Sequence, residues 1–337
     1  MMNQVQFSAD AGLGKRTGAP ARERRWVSEL LEQGVTRDDA IAFARDLEQR
    51  SAEINREKST PRNAMRLFPM RPFDPGAKVL TYEMYRHLGN VEWHRGNGRN
   101  IPRVGVDGVE ESQNVRHAVN AAATDPFEGE ASAFASMNKG MAISTIAEKQ
   151  LAARTAHEQF LNNKLWFGDG GQDIWGVLNF PYVARQVLAE PIGAADGDAF
   201  AQSLHALINT PSEITQGTES PDTLVVSTAA FNYMATTRLG DGTATTDTLL
   251  SYVVRTSPYL TRIEQANELN GAGPDGEDLC FAYRNDPQHI ECMVARVAQA
   301  FPVIRDQMEL VTPYVTTTAG VRMRYPASNI IGIFPSA

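Results

Sequence analysis

Cysteine, lysine and long apolar runs are what this chain has least of, and each shortage excludes something. Cys280 and Cys292 are its only cysteines. Two are too few for a disulfide framework in a large chain, so both are expected to be reduced and packed in the fold. No run of about 18 apolar residues occurs, which leaves no candidate helical span and no expected membrane partner. The opening MMNQVQFSADAGLGKRTG lacks the apolar stretch of a signal peptide. Folding is therefore expected in the cytoplasm. Lysine stands only at Lys15, Lys58, Lys78, Lys139, Lys149 and Lys164. The remaining cations are arginines, whose planar forks suit interface pairing. The net charge is −8, which argues against a dedicated nucleic-acid binder, whose contact face is basic.

Catalytic patterns are missing too. Gly12-Leu13-Gly14-Lys15-Arg16-Thr17 departs from a phosphate loop, because Arg16 separates the lysine from the threonine. Gly168-Asp169-Gly170-Gly171 follows a helical stretch rather than preceding one, so no helix start faces a phosphate there. His157-Glu158 lacks the second histidine of a zinc-protease helix. His289 and Cys292 are two ligands where a structural metal site needs four. Asp275, Glu277 and Asp278 read as a solvated acidic loop. No catalytic residue, metal or cofactor is assigned.

What the chain does have is a long proline-free stretch, Glu130 to Phe167, rich in Ala, Leu, Met, Glu, Lys and Gln. These residues lose little side-chain entropy in a helix. As one helix it spans roughly 50 Å. Its apolar positions, Ile143, Ile146, Ala147, Ala153, Ala156 and Phe160, are too broad for a coiled-coil seam and suit a helix laid across a sheet. This spine is the element around which the other parts are arranged.

Before it, residues 1 to about 20 read as an arm. Two helices follow, one over 21–33 with Trp26, Val27, Leu30 and Leu31, the other from Thr36 to Lys58. VLTYEMY over 79–85 reads as a strand, and Gly96-Asn97-Gly98 as a hairpin tip. The segment around that tip carries Arg86, His87, His94, Arg95, Arg99 and Arg103 against one acid, Glu92. A two-stranded hairpin is marginal alone in water, so this one is expected to lie on another surface. Beyond the spine, residues 185–285 read as a mixed α/β unit: a helix over 198–209, a strand TLVVS, helices near 228–236 and 246–255, and strands YLTRIEQA and LCFAY. HIECMVARV, MELVTPYVTT and VRMRY then read as strands separated by turns, and NIIGIF ends the chain. These strands need an apolar cover, which the spine is expected to supply.

This order of parts resembles a tailed-phage major capsid protein of the Hong Kong 97-type fold. The residues that carry the likeness are Val79–Glu83, Asn100-Ile101-Pro102-Arg103-Val104, Ile174-Trp175-Gly176-Val177-Leu178-Asn179-Phe180-Pro181, Pro221–Ser227 and Thr316–Val321. The likeness covers about residues 76 to 337. It implies an α+β chain: an N-terminal arm with two helices (1–75), an extended hairpin loop (76–129), a peripheral domain with the spine helix (130–185), an axial α/β domain (186–285) and the C-terminal strands of the peripheral domain (286–337). It implies a non-enzymatic protein that assembles with itself, as pentamers and hexamers, into an icosahedral shell around double-stranded DNA. The other implied partners are a portal, a scaffolding or decoration protein, and DNA held by weak non-specific contact. The implied place is the virion capsid, assembled in host cytoplasm. Trp93, Arg95, Arg99 and Arg103 are the candidate subunit-interface residues, and Ile143, Ile146 and Phe160 the candidate spine-packing residues. Some members of that family cross-link through a lysine in the hairpin; Gly89 to Gly105 contains none, so a non-covalent shell is expected. The competing readings are an encapsulin-like nanocompartment shell and a soluble α/β enzyme built on Asp169, Asp173, His205 and Glu264.

Overall fold

The computed structural model describes residues 60–88, 105–125, 145–193, 197–238, 247–307 and 309–335. The arm with its two predicted helices, the hairpin tip and the first part of the predicted spine lie outside these residues.

Two five-stranded sheets organise the rest. One is built from β5 (Ala184–Val187), β6 (Thr223–Val226), β7 (Arg262–Gln265), β8 (Leu279–Tyr283) and β12 (Ile330–Ile333), in the order β5-β12-β8-β6-β7. Its central strands β6 and β8 are buried at every position because both faces are covered. Leu224, Val226, Cys280, Ala282 and Ile330 face one core, with α3 (Gly197–Ile214), α4 (Thr228–Thr236) and α5 (Leu249–Thr256). Val225, Phe281, Tyr283 and Ile331 face the other, with the end of the spine and the short helix α1 (Ala64–Leu67). The period of two along a strand sorts them. Ser227 and Thr248 cap α4 and α5, each side-chain oxygen accepting from the backbone N–H three residues on.

This sheet corrects one expectation. NIIGIF does not return to the spine's own sheet; β12 lies between β5 and β8, antiparallel to β8 and parallel to β5. The extent of that second sheet is therefore not 186–285 alone. It takes a strand from the end of the chain, where Gly332 lets β12 close on Cys280, Leu188 and Leu207.

The other sheet contains β1 (Met70–Arg71), β4 (Arg116–Thr124), β9 (Ile290–Ala300), β10 (Ile304–Asp306) and β11 (Glu309–Met323). A turn was expected between MELVTPYVTT and VRMRY. Instead β11 is continuous over 15 residues. It pairs without interruption along β4, while shifts of register against β9 absorb the irregular Thr316–Gly320 stretch. The three threonines there are buried, and their hydroxyls are used: Thr318 Oγ1 donates to Met293 O at 2.9 Å, and Thr316 Oγ1 accepts from Ala298 N at 3.0 Å.

The spine, α2 (Thr145–Phe167), lies across β9 and β11 as expected, and also across β4, which the expected hairpin loop 76–129 had included. Its 23 described residues span about 35 Å. Of the expected stripe only Ala153 is covered among the described residues. Ala153, His157, Leu161 and Leu165 recur at four-residue steps and are buried, joined near the helix end by Asn162 and Trp166. Ile146 and Phe160 are 36% and 39% exposed, and Ile143 lies outside the described residues. Two polar residues, His157 and Asn162, sit on the covered side because the neighbouring backbone and side chains supply their hydrogen bonds.

Candidate functional site

The feature with no core of its own is the hairpin of β2 (Val79–Leu88) and β3 (Gly105–Asn114). Ten consecutive pairs run from Val79↔Asn114 to Leu88↔Gly105 without a bulge. Opposed residues share a face. Leu80 and Gln113, Tyr82 and Glu111, Met84 and Val109 make the inner face; Thr81 and Ser112, Glu83 and Glu110, Tyr85 and Gly108 make the outer face. Among the described residues the inner face is seated only at its root. Leu80 joins Phe73, Val115, Met293 and Ala319, and Gln113 Nε2 donates to Val321 O at 3.0 Å. On the outer face Tyr85 and Val106 are 63% and 61% exposed.

The root is held by a buried carboxylate. Glu291, 1% exposed, receives Arg322, Arg324 at 2.9 Å and Arg71 at 3.2 Å. The Arg322 guanidinium also lies 4.8 Å from the Tyr82 ring centroid, and the Tyr82 hydroxyl donates to Glu111. A buried carboxylate is tolerated only when paired and hydrogen-bonded; here Arg322 on β11, Arg324 just beyond its end and Arg71 on the β1 edge do both. Burial, with the Glu111 hydrogen bond second, pushes the Tyr82 phenol pKa up. The hairpin is thus a lever with a rigid, ionic base.

The spine is fixed to its sheet by a second device. His157 Nε2 lies 3.1 Å from Tyr314 O, and its Nδ1 lies 3.0 Å from Thr316 Oγ1. A carbonyl only accepts, so Nε2 carries the proton and Nδ1 accepts from the threonine hydroxyl. Burial lowers the His157 pKa from its ordinary 6.5. The folded chain therefore prefers the neutral ring. This contribution to stability is complete above pH 6.5 and is lost progressively as the pH falls below it. Thermal scans between pH 7.5 and 5 should show a decline that is shallower in His157→Gln; equal slopes would assign the acid sensitivity elsewhere.

The loop after the spine explains the Ile174–Pro181 stretch. Val177 N and Leu178 N donate to Leu165 O and Trp166 O at 2.9 Å each, closing the helix's last carbonyls. Asn179 Oδ1 accepts from Gly176 N at 2.6 Å. A Cβ on Gly176 would stand 2.3 Å from Gly168 N, so only glycine lets the loop return this closely. Trp175 O then accepts from Val321 N at 2.8 Å, tying the loop to β11.

Of the predicted interface residues, Trp93, Arg95, Arg99 and Arg103 lie outside the described residues. The residues of the enzyme reading are separately engaged. Asp169 pairs with Lys164 at 2.6 Å, a hydrogen bond that lowers its pKa. Asp173 accepts from Asn114 Nδ2 at 3.0 Å, Glu264 pairs with Arg66 at 2.8 Å, and His205 Nε2 lies 2.9 Å from Thr256 Oγ1. His289 meets Glu219 at 2.8 Å, while Cys292 is in the core with its thiol pKa raised by burial. Among the described residues no group of three His, Cys, Asp or Glu is placed to hold a metal ion. Sequence reasoning missed Glu291 and the half-buried joint at Glu268, which accepts from Asn162 Nδ2 at 2.7 Å and Asn63 Nδ2 at 2.9 Å. Glu291 left one signal, an acid inside the otherwise apolar run Ile290–Val294.

Comparison with known proteins gives the following. A family model described as major capsid protein matches residues 89–331. A chain from the capsid of Myoviridae phage XM1 is similar in structure, with a TM-score of 0.75 at 14% identity, over 87% of this chain and 98% of that one. A chain of Mycobacterium phage Bobi has a TM-score of 0.59 at 12% identity, over 90% and 99%. One of Mycobacterium phage Adephagia has 0.57 at 11%, over 90% and 98%. At these identities the likeness speaks to the fold. No curated protein matches the sequence.

Proposed function

Because the chain belongs to the major capsid protein family, we propose that its copies assemble, as pentamers and hexamers, into an icosahedral shell around double-stranded phage DNA. Forming the capsid shell of a virion is the family's role; what this chain contributes is the geometry of one tile. The observation that carries the reading is the hairpin: ten ladder pairs that, among the described residues, are seated only at their root and project a face that none of those residues covers. Such a face is stable in water only when another surface covers it.

In this reading the spine and the sheet of β4, β9 and β11 form the peripheral domain. The sheet of β5–β8 and β12, with α3–α5, forms the axial domain, so the final strand ties one to the other. The hairpin lies over a neighbouring subunit. A portal, a scaffolding or decoration protein and weakly held DNA complete the partners, and assembly takes place in host cytoplasm. The protein has no enzymatic role. Its acidic net charge suits a container that encloses DNA without gripping it.

Size-exclusion chromatography followed by negative-stain microscopy tests the reading: capsomers or closed particles are expected, and a small oligomer alone would refute it. Since Gly89 to Gly105 holds no lysine, denaturing electrophoresis of particles should give a single band near 37 kDa. A ladder of higher bands would show covalent cross-links.

A further inference from the structure

The hairpin carries its charge in two blocks. The stem, β2 with β3, has Glu83, Asp107, Glu110 and Glu111 against Arg86 alone. The segment between, 89–104, has Arg95, Arg99 and Arg103 against Glu92. Within the stem, Glu83 and Glu110 stand directly opposite each other on the outer face, and both are exposed. Like charges so opposed destabilise a ladder, with Cβ atoms about 5 Å apart. Among the described residues no cation pairs with either carboxylate; Glu83 only accepts from the Tyr85 hydroxyl. The pair is flanked on the same face by Tyr85 and Val106, both more than half exposed. Two carboxylates beside an exposed tyrosine ring suit arginine, which binds carboxylates bidentately and stacks on aromatic faces.

We infer that the outer face of the stem, at Glu83, Glu110 and Tyr85, is the receptor for the arginine-rich segment 95–103 of a second copy. In the proposed shell each hairpin lies over a neighbouring subunit, so it is a second copy that brings the oppositely charged arginines to this face. The contact is head-to-tail, basic segment to acidic stem, and such contacts repeat around a ring until it closes. This inference rests on the shell reading and names the partner surface that the hairpin covers.

The test is a charge exchange in the full-length chain. E83R/E110R and R95E/R99E/R103E should each abolish particles while leaving the far-ultraviolet spectrum and the thermal midpoint of the subunit unchanged. Combining all five substitutions should restore particles, because the exchanged blocks attract again. A second measurement does not depend on that rescue. Chains carrying Glu110→Cys and differently tagged chains carrying Arg99→Cys are co-assembled and oxidised. A mixed disulfide dimer on a non-reducing gel is expected, and Cys280 and Cys292, both fully buried, do not compete. Normal particle yield from E83R/E110R, or no mixed dimer within formed particles, overturns the inference and leaves the shell reading standing. An unaltered chain that forms no capsomers or particles overturns the shell reading itself.

Discussion

Leu161→Asp leaves no soluble folded chain, whereas Phe160→Asp, one position away, folds as the unaltered protein does; this is the expected result of the sharpest local test. Leu161 is fully buried in the core that joins the spine to both sheets, with Val294, Val321 and Phe281 in the same cluster. Removing the leucine forfeits about 1.5–3 kcal/mol of burial. The aspartate then adds a desolvated charge with no partner, worth several kcal/mol more. Net stabilities are about 5–15 kcal/mol, so little is left. Phe160 is well exposed, with Lys164 Nζ 5.5 Å from its ring centroid. Its change should move the thermal midpoint little, and any loss of particles would then report a subunit contact. Soluble yield and thermal scans of the two variants decide the matter. A folded Leu161→Asp chain would mean that the spine does not seat the sheets through this face.

The second large effect lies in β11. Gly320 has φ +85°, and a Cβ there would stand 2.4 Å from Trp175 O and 2.7 Å from Ile174 Cγ2. Backbone in this region costs a non-glycine residue about 1–3 kcal/mol before any clash. The carbonyl cannot move away, because it holds the Val321 N–H. Gly320→Val is therefore expected to expel the 168–181 loop from β11, and with it the cap on the spine's last turn, leaving insoluble protein. Gly320→Ala should be milder but of the same sign. Gly170→Ala is the control: it has open space and no positive φ, and should be neutral. A thermally stable, soluble Gly320→Val chain would contradict the close approach of loop and strand.

Much of the architecture was legible in the sequence because local rules decided it. The strands TLVVS and LCFAY follow from apolar runs of strand length, and their bounds and those of the helix from Thr228 match the structure within a residue. Of the hairpin stem, VLTYEMY was legible as a strand, whereas its partner, Gly105–Asn114, was not. Other elements were not legible. β4, Arg-His-Ala-Val-Asn-Ala-Ala-Ala-Thr, is rich in alanine, which favours helix in isolation; it is a strand because β11 offers it an edge along its whole length. α1, in a proline-rich stretch, gave no sign that Phe68 would pack its ring 5.0 Å from Trp166 and 5.2 Å from Tyr283.

The sequence by itself determined the inventory: a long helix, a basic segment that cannot form a core, an α/β unit, and strands at the end that need a cover. Composition and periodicity act over a few residues, and these properties are local. Only the tertiary structure decided which face of the spine is covered, because His157 and Asn162 are buried through partners more than a hundred residues away. The same holds for β12 entering the other sheet and for three arginines meeting on Glu291. Long-range pairing of charges and strands leaves no periodic trace in a chain, so it is read only when the chain is folded.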